Sequence, residues 1–262
     1  MSYAPRMKIC GITGLDDAQR AVDVGAWAIG LILWPGSPRH CELDQAELIA
    51  RTLRRSVEVC GVFVNAPLDE LTAQVDALGL SLVQLHGEEG PAYCEEVRRR
   101  TGARIIKAAR VGGGADLQAV EPFHTDFHLL DTHHENLRGG TGETWDWELI
   151  SRRTSRVPLI MSGGLTAENV GAAIRAVQPY AVDTASGTES SPGVKDPERL
   201  AAFAAAVAEV TAEYAAEEEA REAAKAAAKA EAEAEAQAQA EAQAQAEAQA
   251  QTEAGEAQEP VT

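Results

Sequence analysis

The 262-residue sequence has few cysteines, few aromatic residues and no long apolar run. Its four cysteines, Cys10, Cys41, Cys60 and Cys94, form no CxxC pair, and no Cys/His cluster has zinc-like spacing. No apolar stretch approaches the roughly 20 residues of a membrane span. The opening "MSYAPRM" lacks the apolar run of a signal peptide. The simplest reading is a cytoplasmic protein with reduced thiols, starting at Met1 or Met7. Positive charge is scarce too: 23 Lys and Arg face 41 Asp and Glu, a formal charge of -18. Of this, the 13 Glu and 3 Lys/Arg from residue 210 onward carry -10, leaving -8 for the rest. Neither part is basic, which argues against a nucleic-acid or membrane partner. A small anion remains a possible ligand, because backbone N–H groups and a single Arg can bind one.

From about Glu217 the chain is Ala, Glu and Gln. These are strong helix formers, but their period of two spreads Ala around every helix face and leaves no Leu/Ile seam. Residues 210–262 therefore read as a tail, a solvated fraying helix or disordered chain, with no identified partner. Ahead of it stand eight apolar runs: "KICGI" (8–12), "AIGLIL" (28–33), "VCGVFV" (59–64), "LVQLH" (82–86), "RIIKAA" (104–109), "FHLLD" (127–131), "LIMSG" (159–163) and "YAVDT" (180–184). Between them lie helical patterns with start and stop signals, among them Asp44 as an N-cap and Gly25, Gly79 and Gly102 as stops. Thr166 followed three residues later by Asn169 marks another helix start, and "WDW" (145–147) places an N-cap at Asp146. Eight strand-then-helix units predict an α/β chain of the (β/α)8 or TIM-barrel class. The domain reading is a short extension at 1–7, a barrel at 8–209 and the tail at 210–262. A doubly wound open sheet is the alternative, but it usually has fewer strands and a GxGxxG first turn, which "GITGLDD" is not.

In such barrels active sites lie at the C-terminal strand ends. The polar residues there are Cys10, Arg39, Asn65, His86, Lys107, Arg110, Asp131, the run Ser162-Gly163-Gly164, and Asp183 to Gly187, which includes Ser186. Each has a bland reading: a lone Cys is more often buried than catalytic, and a strand-end His is more often structural. Glycines after strands 7 and 8 let backbone N–H groups approach an anion, which favours a phosphorylated substrate over simple turns. Asp131 ends an apolar strand, so it needs a partner or a raised pKa. Cys10, as a thiolate, is a base or a nucleophile. The two suit proton shuttling, provided both titrate near neutrality. His124, His128, His133 and His134 hint at a metal, but adjacent histidines in a loop rarely close a site, and no metal is expected. "GGG" at 112–114 reads as a surface loop.

Several strings then occur in order, one per unit: "KICGIT", "CGVFVN", "VQLHG", "LLDT" with a following "GGTG", "WDW", "SGGLTAENV" and "VDTASGTE…PGVKD". With them, residues 7 to 209 resemble the phosphoribosylanthranilate isomerases of tryptophan biosynthesis. The resemblance implies an Amadori rearrangement of N-(5-phosphoribosyl)anthranilate without metal or cofactor. It implies Asp131 as general acid, Cys10 as general base, Arg39 on the anthranilate carboxylate, and phosphate on N–H groups near Gly164, Ser186 and Gly187. One departure is Ala185, where "VSSG" is usual and "TASG" stands here. A dual-substrate isomerase of the histidine and tryptophan pathways is the competing enzyme reading; such enzymes are expected to use Asp as the first-strand base, against Cys10. A scaffold with a docking tail is the non-enzymatic one, against the joint presence of Cys10, Asp131 and Arg39. The sequence leaves monomer and homodimer both open.

Overall fold

The computed structural model describes residues 3–131, 147–151 and 153–256; the expectations for His133, His134 and Asp146 lie outside these residues. Eight parallel strands close into a barrel in chain order: β1 (Arg6–Cys10), β2 (Ala28–Ile32), β3 (Glu58–Phe63), β4 (Leu82–Leu85), β5 (Arg104–Arg110), β6 (Phe127–Asp131), β7 (Leu159–Ser162) and β8 (Ala181–Thr184). Each coincides with one of the eight apolar runs. The helices α1 (Leu15–Asp23), α2 (Leu43–Leu53), α3 (Leu68–Leu78), α4 (Pro91–Thr101), α5 (Gly114–Ala119), α6 (Trp147–Ser151), α7 (Val170–Val177) and α8 (Pro197–Glu256) alternate with them. The architecture is the (β/α)8 barrel expected from that alternation. Tyr3–Ala212 forms one compact unit, and the chain from Glu213 onward belongs to a second. Along α8, Val210 is the last buried side chain among the described residues.

Residues that point inward fill the barrel with a dry cluster, including Ala28, Val62, Leu82, Ile106, Leu129 and Ile160. Parallel strands covered on both faces demand such apolar runs. The N-terminal mouth is closed by Trp27, Phe127 and Tyr180, whose ring centroids lie 5.1–5.6 Å apart. The Arg6 guanidinium stacks 4.8 Å from the Tyr180 ring, and Arg104 lies 5.8 Å from Phe127. These edge and cation contacts cap one end of the barrel, so chemistry is left to the other.

Helix ends follow the glycine signals: Gly79 (φ 61°) and Gly102 (φ 68°) are left-handed stops for α3 and α4. Asn169 precedes α7; its Oδ1 accepts from the Thr166 N–H at 2.8 Å and its Nδ2 donates to the Gly164 carbonyl at 3.0 Å. The glycines at 112–113 form a turn whose N–H groups donate to Asp116 at 2.8 and 2.9 Å. Two readings need correction. The N-cap of α2 is Glu42, not Asp44, because the helix begins at Leu43 and leaves Asp44 inside the first turn, where its charge still suits the helix dipole. A short hairpin, β9 (Glu189–Ser191) with β10 (Val194–Lys195), follows β8 unannounced. Its strands are too short to carry a period-two signal.

Candidate active site

The C-terminal ends of the eight strands gather the polar residues. On β1, Lys8 and Cys10 point the same way, two residues apart, toward the barrel interior. Lys8 stands opposite Asp183 in the β1–β8 register, and its Nζ donates to Asp183 Oδ1 at 2.8 Å. The Lys8 side chain is fully buried. Ser162, on β7, donates to the other carboxylate oxygen of Asp183 at 3.1 Å. Burial alone disfavours the Lys8 charge, but Asp183 and then Cys10 outweigh it and hold the ammonium above its usual range.

Cys10 is buried, with 6% exposure, in the top layer of the core. Burial is the leading influence on its thiol and pushes it upward, while Lys8 is the strongest charge opposing that shift. In the free protein, removing water from the thiol outweighs the adjacent ammonium. Cys60, also inside the barrel, is pushed up to about 12 by burial. All four cysteines are free thiols.

Arg39, on the loop after β2, presents its Nε–Nη2 edge to Glu189 at 2.8–3.0 Å. Glu189 also receives Lys195 Nζ at 3.3 Å, and Lys195 donates to the Ala185 carbonyl at 2.9 Å. Burial works against the Glu189 charge, but the Arg39 hydrogen bonds and the Lys195 and Arg39 charges hold its carboxyl below the usual range. The fork of Arg39 is thus half occupied by a protein carboxylate, and its Nη1 makes no hydrogen bond among the described residues. Gly11 (φ 76°) serves this arrangement, since a Cβ there would stand 2.9 Å from Arg39 Cδ and 3.2 Å from Glu189 Oε1.

On the far side of the mouth, His86 follows β4 and Asp131 ends β6. His86 Nδ1 meets Gln84 Nε2 at 3.0 Å, and His86 Nε2 lies 4.0 Å from Asp131 Oδ2. Burial lowers the His86 pKa against the pull of Asp131, which favours neutral imidazole. Asp131 is partly exposed, 22% at its side chain. A cavity of about 600 Å3 opens beside His86, lined also by Asn65, Lys107 and Arg110 among others. At its base Lys107 pairs with Glu89 at 2.8 Å, and Glu89 accepts the N–H groups of Asn65 and Gly87 at 2.8 Å each. Burial opposes the Glu89 charge as well, but the Lys107 and Asn65 hydrogen bonds keep its carboxyl below the usual range.

Gly163 (φ 104°) and Gly164 (φ 64°) turn the loop after β7 through backbone conformations that side chains resist. Ser186 and Gly187 begin a single 3-10 turn after β8. The two loops touch: a Cβ on Gly187 would fall 2.0 Å from the Leu165 carbonyl oxygen, and Thr184 Oγ1 donates to that oxygen at 2.8 Å. The N–H groups of Gly164, Ser186 and Gly187 make no hydrogen bond among the described residues. A cavity of about 300 Å3 lies against this turn, lined by Thr166, Glu168, Ser186, Gly187 and Arg199 among others. Among the described residues, adjoining loops thus offer three backbone N–H donors, two of them, on Ser186 and Gly187, against this cavity, an arrangement suited to an anion.

The structure therefore puts every expected site residue on one end of the barrel. It ties Cys10 to Asp183 through Lys8, Asp131 to His86, and Gly164 to Gly187 through Leu165. It also adds Lys8, Gln84, Glu189 and Lys195. A Lys in the middle of an apolar strand, two residues before Cys10, was a legible signal for the first. Glu189 lies 150 residues from Arg39 and offered none.

A family profile described as N-(5'-phosphoribosyl)anthranilate (PRA) isomerase matches residues 7–206. A relative from Citrifermentans bemidjiense, named N-(5'-phosphoribosyl)anthranilate isomerase, is 46% identical over 195 residues, covering 74% of this chain and 93% of its own. The crystal structure of phosphoribosyl anthranilate isomerase from Thermotoga maritima superposes with a TM-score of 0.72 at 38% identity, covering 78% of this chain and 98% of that one. A second structure of such an isomerase, in complex with reduced 1-(o-carboxyphenylamino)-1-deoxyribulose 5-phosphate, gives a TM-score of 0.69 at 36% identity, with the same coverage.

Proposed function

The chain belongs to the N-(5'-phosphoribosyl)anthranilate isomerase family, and from that premise we propose the part each rim residue plays. The protein is an isomerase of tryptophan biosynthesis that converts N-(5'-phosphoribosyl)anthranilate into 1-(2-carboxyphenylamino)-1-deoxyribulose 5-phosphate. Asp131, in its acid form, gives a proton to the ring oxygen of the ribose. The C1–O bond breaks, the anilino nitrogen supplies its electron pair, and a protonated Schiff base forms. Cys10, as thiolate, removes the proton from C2, and the electrons of that C–H bond neutralise the iminium as an enolamine. Loss of the C2 hydroxyl proton and protonation at C1 give the ketone, so the reaction is balanced without any added reductant.

Arg39 receives the anthranilate carboxylate on the guanidinium edge that Glu189 leaves, and Glu189 fixes the plane of that fork. The phosphate sits on the N–H groups of Gly164, Ser186 and Gly187, with Gly163 shaping the approach. His86 and Asp183 border the sugar by holding Asp131 and the Lys8–Cys10 pair. The phosphosugar is the one partner this reading requires, and the cytoplasm its place. The observation that supports the reading is the joint placement of a thiol beside an ammonium, a partly exposed carboxylate and three N–H donors without a hydrogen bond among the described residues, all at one barrel end.

Turnover of Asp131→Asn tests it. An amide cannot supply the proton, so kcat falls by about 10²–10⁴ while KM stays near its normal value. An effect confined to KM would assign Asp131 to binding and defeat the acid role.

A further inference from the structure

We propose that Lys8 is a positioning residue for the Cys10 base: its buried ammonium, locked to Asp183 across the β1–β8 seam, supplies the positive charge beside which the thiolate forms. The proposal rests on Cys10 being the base. Its ground is geometric. Lys8 and Cys10 share the inner face of β1, and the neighbouring strand is pared back to Gly30 at their level. A Cβ on Gly30 would stand 2.7 Å from Cys10 Sγ and 3.2 Å from Lys8 Nζ. Both atoms thus occupy the space a side chain would fill, at most about 6 Å apart, within the range where a charge governs a neighbour's ionisation.

The pair with Asp183 has no evident use for stability. A buried ion pair in a barrel core gains little over well-packed apolar residues of the same volume. Losing only Lys8 would leave Asp183, a negative charge, facing the thiol. The groups facing Cys10 from the surrounding elements are Lys8 on its own strand, Asp183 on β8, Lys195 on β10, Cys60 on β3 and Arg39 after β2. Lys195 and Arg39 are both engaged with Glu189. Lys8 is the cation directly beneath the sulfur, and it acts on catalysis only through that sulfur.

The test compares Asp183→Asn with the double variant Lys8→Met, Asp183→Asn, in which no buried charge is orphaned. Iodoacetamide alkylation of Cys10, resolved by peptide mass spectrometry, is followed against pH in both. In the double variant the Cys10 profile moves to higher pH, and its alkylation rate near pH 8 falls about tenfold, the equivalent of one pKa unit. Superimposable profiles would overturn the proposal, since a purely structural lysine would leave the sulfur's titration alone. If the double variant does not fold, the intact protein still decides. The Lys8 15Nζ resonance should inflect at the pH where Cys10 alkylation inflects and lose that inflection in Cys10→Ala; a Lys8 resonance without it overturns the proposal. A Cys10→Ala enzyme that still turns over would refute the base assignment, whereas an inactive Cys10→Ala enzyme together with superimposable Cys10 alkylation profiles in Asp183→Asn and the double variant would refute only the role of Lys8.

Discussion

Replacing Gly187 with Ala should disable substrate binding through a single methyl group. That carbon would fall 2.0 Å from the Leu165 carbonyl oxygen and 2.8 Å from Thr184 Oγ1, so the loops after β7 and β8 have to part by about 1 Å. Overpacking of this kind costs about 1–3 kcal/mol, and the hydrogen bond from Thr184 to Leu165, if lost, adds about 1 kcal/mol. In a barrel of about 200 residues that corresponds to a fall in Tm of roughly 5–10 °C. The catalytic consequence is larger. The Gly164 and Gly187 N–H groups sit on opposite sides of the parted seam, and misplacement by about 1 Å is enough to lose about 10²-fold in kcat/KM. Steady-state kinetics, following the loss of substrate fluorescence, measures this directly. Inhibition by inorganic phosphate should weaken in parallel. A variant with kcat/KM within about threefold of the parent and an unchanged Tm would refute the contact between the loops as the anion site.

Two further expectations concern acid and the tail. Glu89 and Glu189 have folded-state carboxyls held below their ordinary value of 4.5, so each contributes stability above pH 4.5 that is lost as pH falls through its depressed value. Urea midpoints measured from pH 6 to 3 should therefore decline below about pH 4.5 in the parent, and less steeply in Glu189→Gln; equal slopes would show that the Arg39–Glu189–Lys195 cluster is not linked to folding. Deleting residues 213–262 should leave kcat and Tm nearly unchanged, because α8 buries its last described side chain at Val210; a large drop in either would show that the tail supports the barrel.

The barrel was legible because strand runs such as "RIIKAA" and helix stops such as Gly79 and Gly102 are local statements, written within a few residues of the feature they specify. The strand-end residues were legible for the same reason: once the runs were placed, Cys10, Asp131 and the glycines after β7 and β8 fell at known ends. What escaped was pairing over distance. Nothing near Arg39 foretells Glu189, and nothing near Lys8 foretells Asp183, since these partners meet only after the sheet closes. Gly11 likewise clears space for the Arg39–Glu189 pair, which forms only once those distant residues meet. Gly30 reads as an ordinary strand glycine, yet a Cβ there would strike Cys10, and the anion-loop reading of Gly187 gave no sign of its close approach to the Leu165 carbonyl. The upward push on the Cys10 thiol was not legible either, because burial is a property of the closed barrel, not of "KICGIT".

The central claim is that the Cys10 sulfur takes the proton from C2 of the sugar. Turnover of Cys10→Ala, with N-(5'-phosphoribosyl)anthranilate as substrate and the fold verified by circular dichroism, tests it most directly. Loss of about 10³-fold in kcat, at an almost unchanged KM, is the predicted result. A variant that keeps kcat within about tenfold of the parent would contradict the claim and return Cys10 to the core as a small buried hydrophobe.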